Sequence, residues 1–252
     1  MPALILSPRF SIDSRQLYKA AARAKWEVFR LKWGEVPAEL WQRTDFAVYG
    51  EHLFCEFLQQ ELKFRLLSPP DDLLIRLPSD LVRRKITMMT YAEARRLKHA
   101  SFIKPPDFKS FKAAVYQSGA ELLDEPELSP TLVLVSEPVA FEIEFRCFVD
   151  NGRLVVSSAY AKNGILNVQE QGADEDWGAT EEQISNAHAV VDQVLGMDLG
   201  LPRTVALDVG LIKDRGWAVV EANAAWGSGI YGCDPDVILP ILLNAIEFKK
   251  ST

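Results

Sequence analysis

The 252-residue chain has only three cysteines, three histidines and no long apolar run, and each shortage removes a class of protein. Cys55, Cys147 and Cys233 are too widely spaced for a disulfide framework or a zinc knuckle, which suits a reducing, cytoplasmic setting. The opening MPALILSP is too short for a signal peptide, and no stretch approaches a bilayer span, so no membrane partner is expected. A net charge of −7 provides no strongly basic surface and argues against broad nucleic-acid binding, though a local basic cleft is compatible with it. His52, His99 and His188 are scattered, and no Ser/His/Asp set is discernible. No glycine fingerprint follows the first apolar run, so a Rossmann-type dinucleotide site is not expected there. What remains is a globular composition, 48% apolar and 25% charged, long enough to bury a sizeable core in one large domain or in a few lobes.

The most informative stretch is residues 204–227, TVALDVGLIKDRGWAVVEANAAWG. It reads as two strands, 205–212 and 217–223, around the polar turn Lys213-Asp214-Arg215-Gly216. A turn centred on Asp214-Arg215 sets Asp208 directly opposite Glu221, with Asn223 two residues along the same face. Two carboxylates so placed repel each other unless a cation lies between them, and hard divalent ions take such oxygen ligands. The same residues also suit the wet face of an ordinary hairpin.

Earlier segments alternate strand and helix: a strand at 3–6, a helix over 14–26, strands at 27–31 and 45–49, an amphipathic helix through 54–62, and a strand at 64–67. The alternation predicts a small parallel α/β lobe. Residues 71–100 read as mostly helical linkage, containing the basic triplet Arg83-Arg84-Lys85 and a Thr90–Glu93 capping box. A brief strand at 101–104 leads into a loop flanked by Lys104 and Lys109. After an apolar strand at 131–135 comes a hairpin whose Asn151-Gly152 turn sets Glu144 across from Ala159 and Arg146 across from Ser157. Residues 163–179 read as a polar loop and 181–195 as a helix; a last helix, capped by Asp234-Pro235 and disturbed by Pro240, runs through about residue 248.

Taken together, a lysine at a strand end, a strand ending in Ser-Glu-Pro, an acidic and basic hairpin, and Asp with Glu-x-Asn on a final hairpin resemble the ATP-grasp order. The likeness covers about residues 80–246. DVG and GWAVVEANAAWGSGIYGCDPD are its most specific part, FIKPP and EPVAFEIEFRCFV a moderate one, and the basic triplet a weak one. The chain looks closest to a divergent, largely uncharacterised clade of bacterial and phage ATP-grasp proteins. The resemblance implies an α/β fold of α+β lobes. It implies a small N-terminal domain (1–75) ahead of an ATP-grasp core (76–252) with a hinge near 135–140. It also implies ATP and Mg²⁺ (or Mn²⁺) as cofactors, and transfer of the γ-phosphoryl group to a carboxylate of a small molecule or peptide, for attack by an amine or similar nucleophile.

Carried over by motif, Lys104 and Arg84 (or Arg83) match cations that face ATP. Val135, Glu137 and Val139 match the adenine hinge, and Glu144 the ribose-binding acid. Arg146 matches a basic catalytic residue, and Asp208, Glu221 and Asn223 the metal ligands. Where relatives carry a glycine-rich phosphate loop, this chain has Lys109 and Ser110 and no glycine, so Lys109 is the expected substitute. Trp226, Tyr231 and Asp234, around a glycine-rich bend, are candidate substrate contacts or simply packing and a helix cap. Two rival readings are a nucleotide-binding regulatory module without ligation and a metal-dependent phosphoesterase. The second leaves Lys104, Glu137 and Glu144 unexplained.

Overall fold

The computed structural model describes residues 1–105, 110–166 and 178–248. β1 (Ala3–Leu6), β2 (Glu27–Arg30) and β3 (Phe46–Tyr49) form a parallel sheet in the order β2-β1-β3. Between β1 and β2, α1 (Ile12–Arg23) begins two residues ahead of the expected Ser14, because Ser11 and Ser14 form a reciprocal cap. α2 (His52–Leu62) buries Phe54, Cys55, Leu58 and Leu62. β4 (Phe64–Leu66), read from sequence as part of this lobe's sheet, does not join it.

Residues 71–100 correct a second expectation. They hold only one-turn helices, α3 (Leu73–Arg76), α4 (Ser79–Val82) and α5 (Tyr91–Ala94), with a strand, β5 (Ile86–Thr90), among them. The strand is fixed by tertiary pairing, which local sequence does not display. β6 (Ser101–Lys104), β7 (Ala114–Tyr116) and β8 (Leu132–Ser136) complete an antiparallel sheet ordered β5-β8-β6-β7. The expected cap of α5 is present: Thr90 accepts from the Glu93 amide, and Glu93 accepts from the Thr90 amide.

The largest sheet has the order β11-β10-β9-β12-β13. Its strands are β9 (Phe141–Asp150), β10 (Arg153–Lys162), β11 (Ile165–Leu166), β12 (Thr204–Ile212) and β13 (Gly216–Ala224), with α6 (Glu181–Leu195) between β11 and β12. Asn151 and Gly152 take positive φ of 49° and 73°, as a two-residue hairpin turn requires. The register holds for two pairs and then shifts. Ser158, and not Ser157, faces Arg146, and after a second irregularity Ala161, and not Ala159, faces Glu144. Bulges of this kind take up the twist of a long two-stranded ribbon. The expected polar loop at 163–179 opens instead as a tight turn leading to β11, and residues 167–177 lie outside the described residues.

One face of this sheet carries Ile143, Phe145, Cys147 and Val149 against α6. The other begins with Glu144 and Arg146 and continues through Phe148 into the core of the N-terminal lobe. α7 (Pro235–Ile241) starts at Asp234 and ends one residue past Pro240, far short of residue 248. Proline lacks the N–H and crowds the preceding turn. The chain then turns into β14 (Ile246–Phe248), which pairs antiparallel with β4. Cys55, Cys147 and Cys233 are buried free thiols. Among the described residues, no helix is long and apolar enough to cross a membrane.

Candidate active site

Asp208 does face Glu221, by a route the sequence does not reveal. The β12–β13 turn places Ile212 opposite Gly216 and Val209 opposite Val219, a register one short of the expected one. A bulge at Val220 then restores it, so that Asp208 meets Glu221 and Ala206 meets Asn223. On the other side of β12, Asp208 pairs with Arg146 and Gly210 with Glu144. Three adjacent strands thus bring Glu144, Arg146, Asp208 and Glu221 to one face.

The cation demanded by two opposed carboxylates is supplied twice, by side chains. Arg146 grips Asp208 bidentately, Nε to Oδ1 and Nη2 to Oδ2, each at 2.6 Å. Its third bond goes to the Gly229 carbonyl at 2.7 Å. Its guanidinium lies 4.6 Å from the Tyr231 ring centroid and 5.5 Å from that of Tyr160, and the two tyrosines stack on each other. Lys104 reaches across from β6, its Nζ 2.6 Å from Glu221 Oε2. Asn223 Nδ2 donates to Glu221 Oε1 at 2.8 Å, which leaves the amide oxygen to accept from elsewhere.

The electrostatics follow from burial and these partners. Burial pushes Asp208 up to about 6 against the pull of Arg146, so it remains ionised near neutrality. Burial also lifts Glu144 to about 6, assisted by the charges of Asp208 and Glu221 and opposed by a hydrogen bond from Tyr160. Glu221 goes the other way. Burial alone would raise it, but Lys104 and Asn223 hold it near 2. Arg146 keeps its charge despite burial because Asp208 lies against it.

The remaining expected residues are distributed as follows. Arg84 lies beside the acidic face and Arg83 turns outward, its Nε donating to the Trp217 carbonyl at 2.9 Å. Val135 sits inside the sheet, paired on both sides, so its main chain is taken. Glu137 is gripped by Arg215 at 2.6 and 2.9 Å, and its amide donates to the Lys85 carbonyl. Val139 follows Pro138, beyond the end of β8. Trp226 fills the core: it is 3% exposed and donates Nε1–H to the Leu67 carbonyl. Asp234 caps α7. Lys109 lies outside the described residues.

Sequence reasoning missed Tyr160, which sits at the second register irregularity and bonds Glu144 at 3.0 Å. It also missed Asp13 and Tyr49 of the N-terminal lobe. Tyr49 donates to the Ser228 carbonyl at 2.9 Å and lies 3.4 Å from Asp13, whose carboxyl is raised by burial. No local pattern marks these residues, because only the packing of lobes brings them to the bend at 227–232.

Among the described residues, no three His, Cys, Asp or Glu side chains gather as a ready-made metal centre. Asp208, Glu221 and Asn223 nevertheless offer oxygen donors only, the kind a hard divalent ion takes; an ion there would share the carboxylates with Arg146 and Lys104, which hold them here.

A family model described as an ATP-grasp domain, the second family of its clade, matches residues 81–240. Three solved structures share the fold. An ATP-grasp RimK domain protein from Sphaerobacter thermophilus is 17% identical with a TM-score of 0.59, covering 96% of this chain and 99% of that one. D-alanine–D-alanine ligase from Bacillus anthracis is 12% identical at 0.52, covering 96% and 98%. N5-carboxyaminoimidazole synthetase from Staphylococcus aureus is 10% identical at 0.55, covering 96% and 77%. No curated protein matches the chain.

Proposed function

Because the chain belongs to this ATP-grasp domain family, we propose that it is an ATP- and Mg²⁺-dependent ligase. In this reading it activates a carboxylate as an acyl phosphate for attack by an amine or a similar nucleophile. The observation that carries the reading is the convergence of Glu144, Arg146, Asp208 and Glu221 on one face, with Lys104 reaching Glu221 from β6, 117 positions away in the chain. Two of the similar structures are named as a ligase and a synthetase, which agrees with ligation.

Each residue then has a task. Lys104 sets a cation where a triphosphate's charge must be met, and Glu144 offers a carboxylate to ribose hydroxyls. The Glu137 carbonyl and the main chain of Val139 meet the adenine edge. Asp208, Glu221 and Asn223 hold Mg²⁺, which supplies charge neutralisation at the phosphates when bound. Arg146 keeps a permanent positive charge beside the anionic acyl phosphate. Lys109 is assigned to the γ-phosphate and Tyr231 to the substrate. The protein otherwise positions reactants and excludes water.

A nonhydrolysable ATP analogue with Mg²⁺ is expected to raise the melting temperature, because it binds the folded state alone. Lys104→Ala should blunt that shift. With pools of amino acids and peptides as substrates, ADP release should fall by orders of magnitude in Glu221→Gln. An undiminished shift in Lys104→Ala, or wild-type ADP release by Glu221→Gln, defeats the reading.

A further inference from the structure

We propose that Arg84 is a positioning residue: its guanidinium clamps the bulge at Val220 that turns Glu221 onto the face of Asp208. If the register next to the turn continued, Val220 would oppose Asp208, and Glu221 would oppose Leu207 within the apolar cluster beneath α6. One extra residue at Val220 prevents this, and a bulge leaves its carbonyls out of the regular ladder. Arg84, two residues past the end of α4, meets both of them. Nη1 donates to the Val219 carbonyl at 2.8 Å and Nη2 to the Val220 carbonyl at 2.9 Å. Nη1 also donates to the Val82 carbonyl at 3.0 Å, which ties the clamp to its own helix end, and the guanidinium lies 5.5 Å from the Phe141 ring centroid.

Two neighbouring carbonyls engaged by one planar fork suit arginine, whereas a lysine ammonium offers no such fixed pair of donors. The resemblance groups Arg84 with the cations facing ATP. The structure commits three of its donations to the main chain, which gives it the role of an outer-shell support for a metal ligand. This inference rests on the proposed Mg²⁺-dependent reading of the site.

The test separates metal from nucleotide in the full chain. Arg84→Lys and Arg84→Gln are checked by thermal melting. ADP binding is then measured in EDTA, and Mn²⁺ affinity is measured by electron paramagnetic resonance at saturating ADP. Mn²⁺ affinity is expected to fall at least about tenfold, as for loss of an outer-shell partner, with ADP affinity in EDTA nearly unchanged. Unchanged Mn²⁺ affinity, or an equal loss of ADP affinity in EDTA, overturns the assignment. Deleting Val220 provides an independent arm, because a regular ladder then brings Glu221 opposite Asp208 without a bulge. In that background Arg84→Lys should leave Mn²⁺ affinity as it was, and a further tenfold loss overturns the clamp. A wild-type chain that binds neither ADP nor Mn²⁺ refutes the functional reading instead.

Discussion

Glu144 and Glu221 are acids of one kind on one face, yet their surroundings push them in opposite directions, and stability should record this. Glu144, raised to about 6 from an ordinary 4.5, binds its proton more tightly when folded. Its contribution is therefore fully present below about pH 4.5 and lost as pH rises through about 6, leaving a charge that opposes folding at neutrality. Glu144→Gln should raise the melting temperature of the ligand-free protein near pH 7.5, by an effect of about 1–2 kcal/mol, and give no gain near pH 4. Glu221, held near 2, contributes stability above about pH 4.5 that disappears as pH falls through about 2. Glu221→Gln should therefore lower the ligand-free melting temperature near pH 7.5, since Lys104 loses its partner, with the deficit narrowing below about pH 4.5. Scanning calorimetry across pH measures both, and parallel shifts of the same sign would refute this account of the pair.

At the scale of elements, the meeting of β9 and β12 depends on a missing side chain. A Cβ added at Gly210 would lie 2.7 Å from Phe141 Cδ1 and 2.8 Å from the Ile143 carbonyl oxygen, and 3.2 Å from Glu144 Cγ. Gly210→Ala should destabilise by about 1–3 kcal/mol, as overpacking does. It should also weaken nucleotide binding, because the strand that must give way carries Glu144; calorimetry and titration check both, and an unaltered melting temperature would contradict it. The paired strands of the site hairpin were legible because their β-branched and aromatic residues flank a polar turn. The facing of Asp208 and Glu221 was legible too, but through a compensation. The turn sits one residue off the expected register, and the bulge at Val220 corrects it. Irregularities at Val155 and Tyr160 went unseen for the same reason, since a bulge is set by ladder twist and by distant partners such as Arg84 and leaves no local composition. β5 and β14 were missed because short strands are decided by the neighbour that pairs with them.

At the scale of the molecule, the N-terminal lobe does not own its core. Leu4, Leu17, Phe46 and Phe54 pack in one cluster with Phe148, Trp226, Ile238 and Leu239, and β14 returns to lie on β4. A chain beginning at residue 71 should therefore lose cooperative unfolding and expose apolar surface, whereas the full chain should melt in a single transition; a dye-monitored melt of each tests this. The shared core also sets a timetable for synthesis. Residues 3–64 leave the ribosome without the side chains of 225–246 that complete their packing. At typical elongation rates the wait is on the order of ten seconds or more, since some 160 residues of roughly 5–20 per second intervene. During that interval Phe46, Phe54 and Phe64 lack part of their cover, the kind of exposed apolar surface that invites misassociation, and the lobe closes only once residues 225–246 have been made.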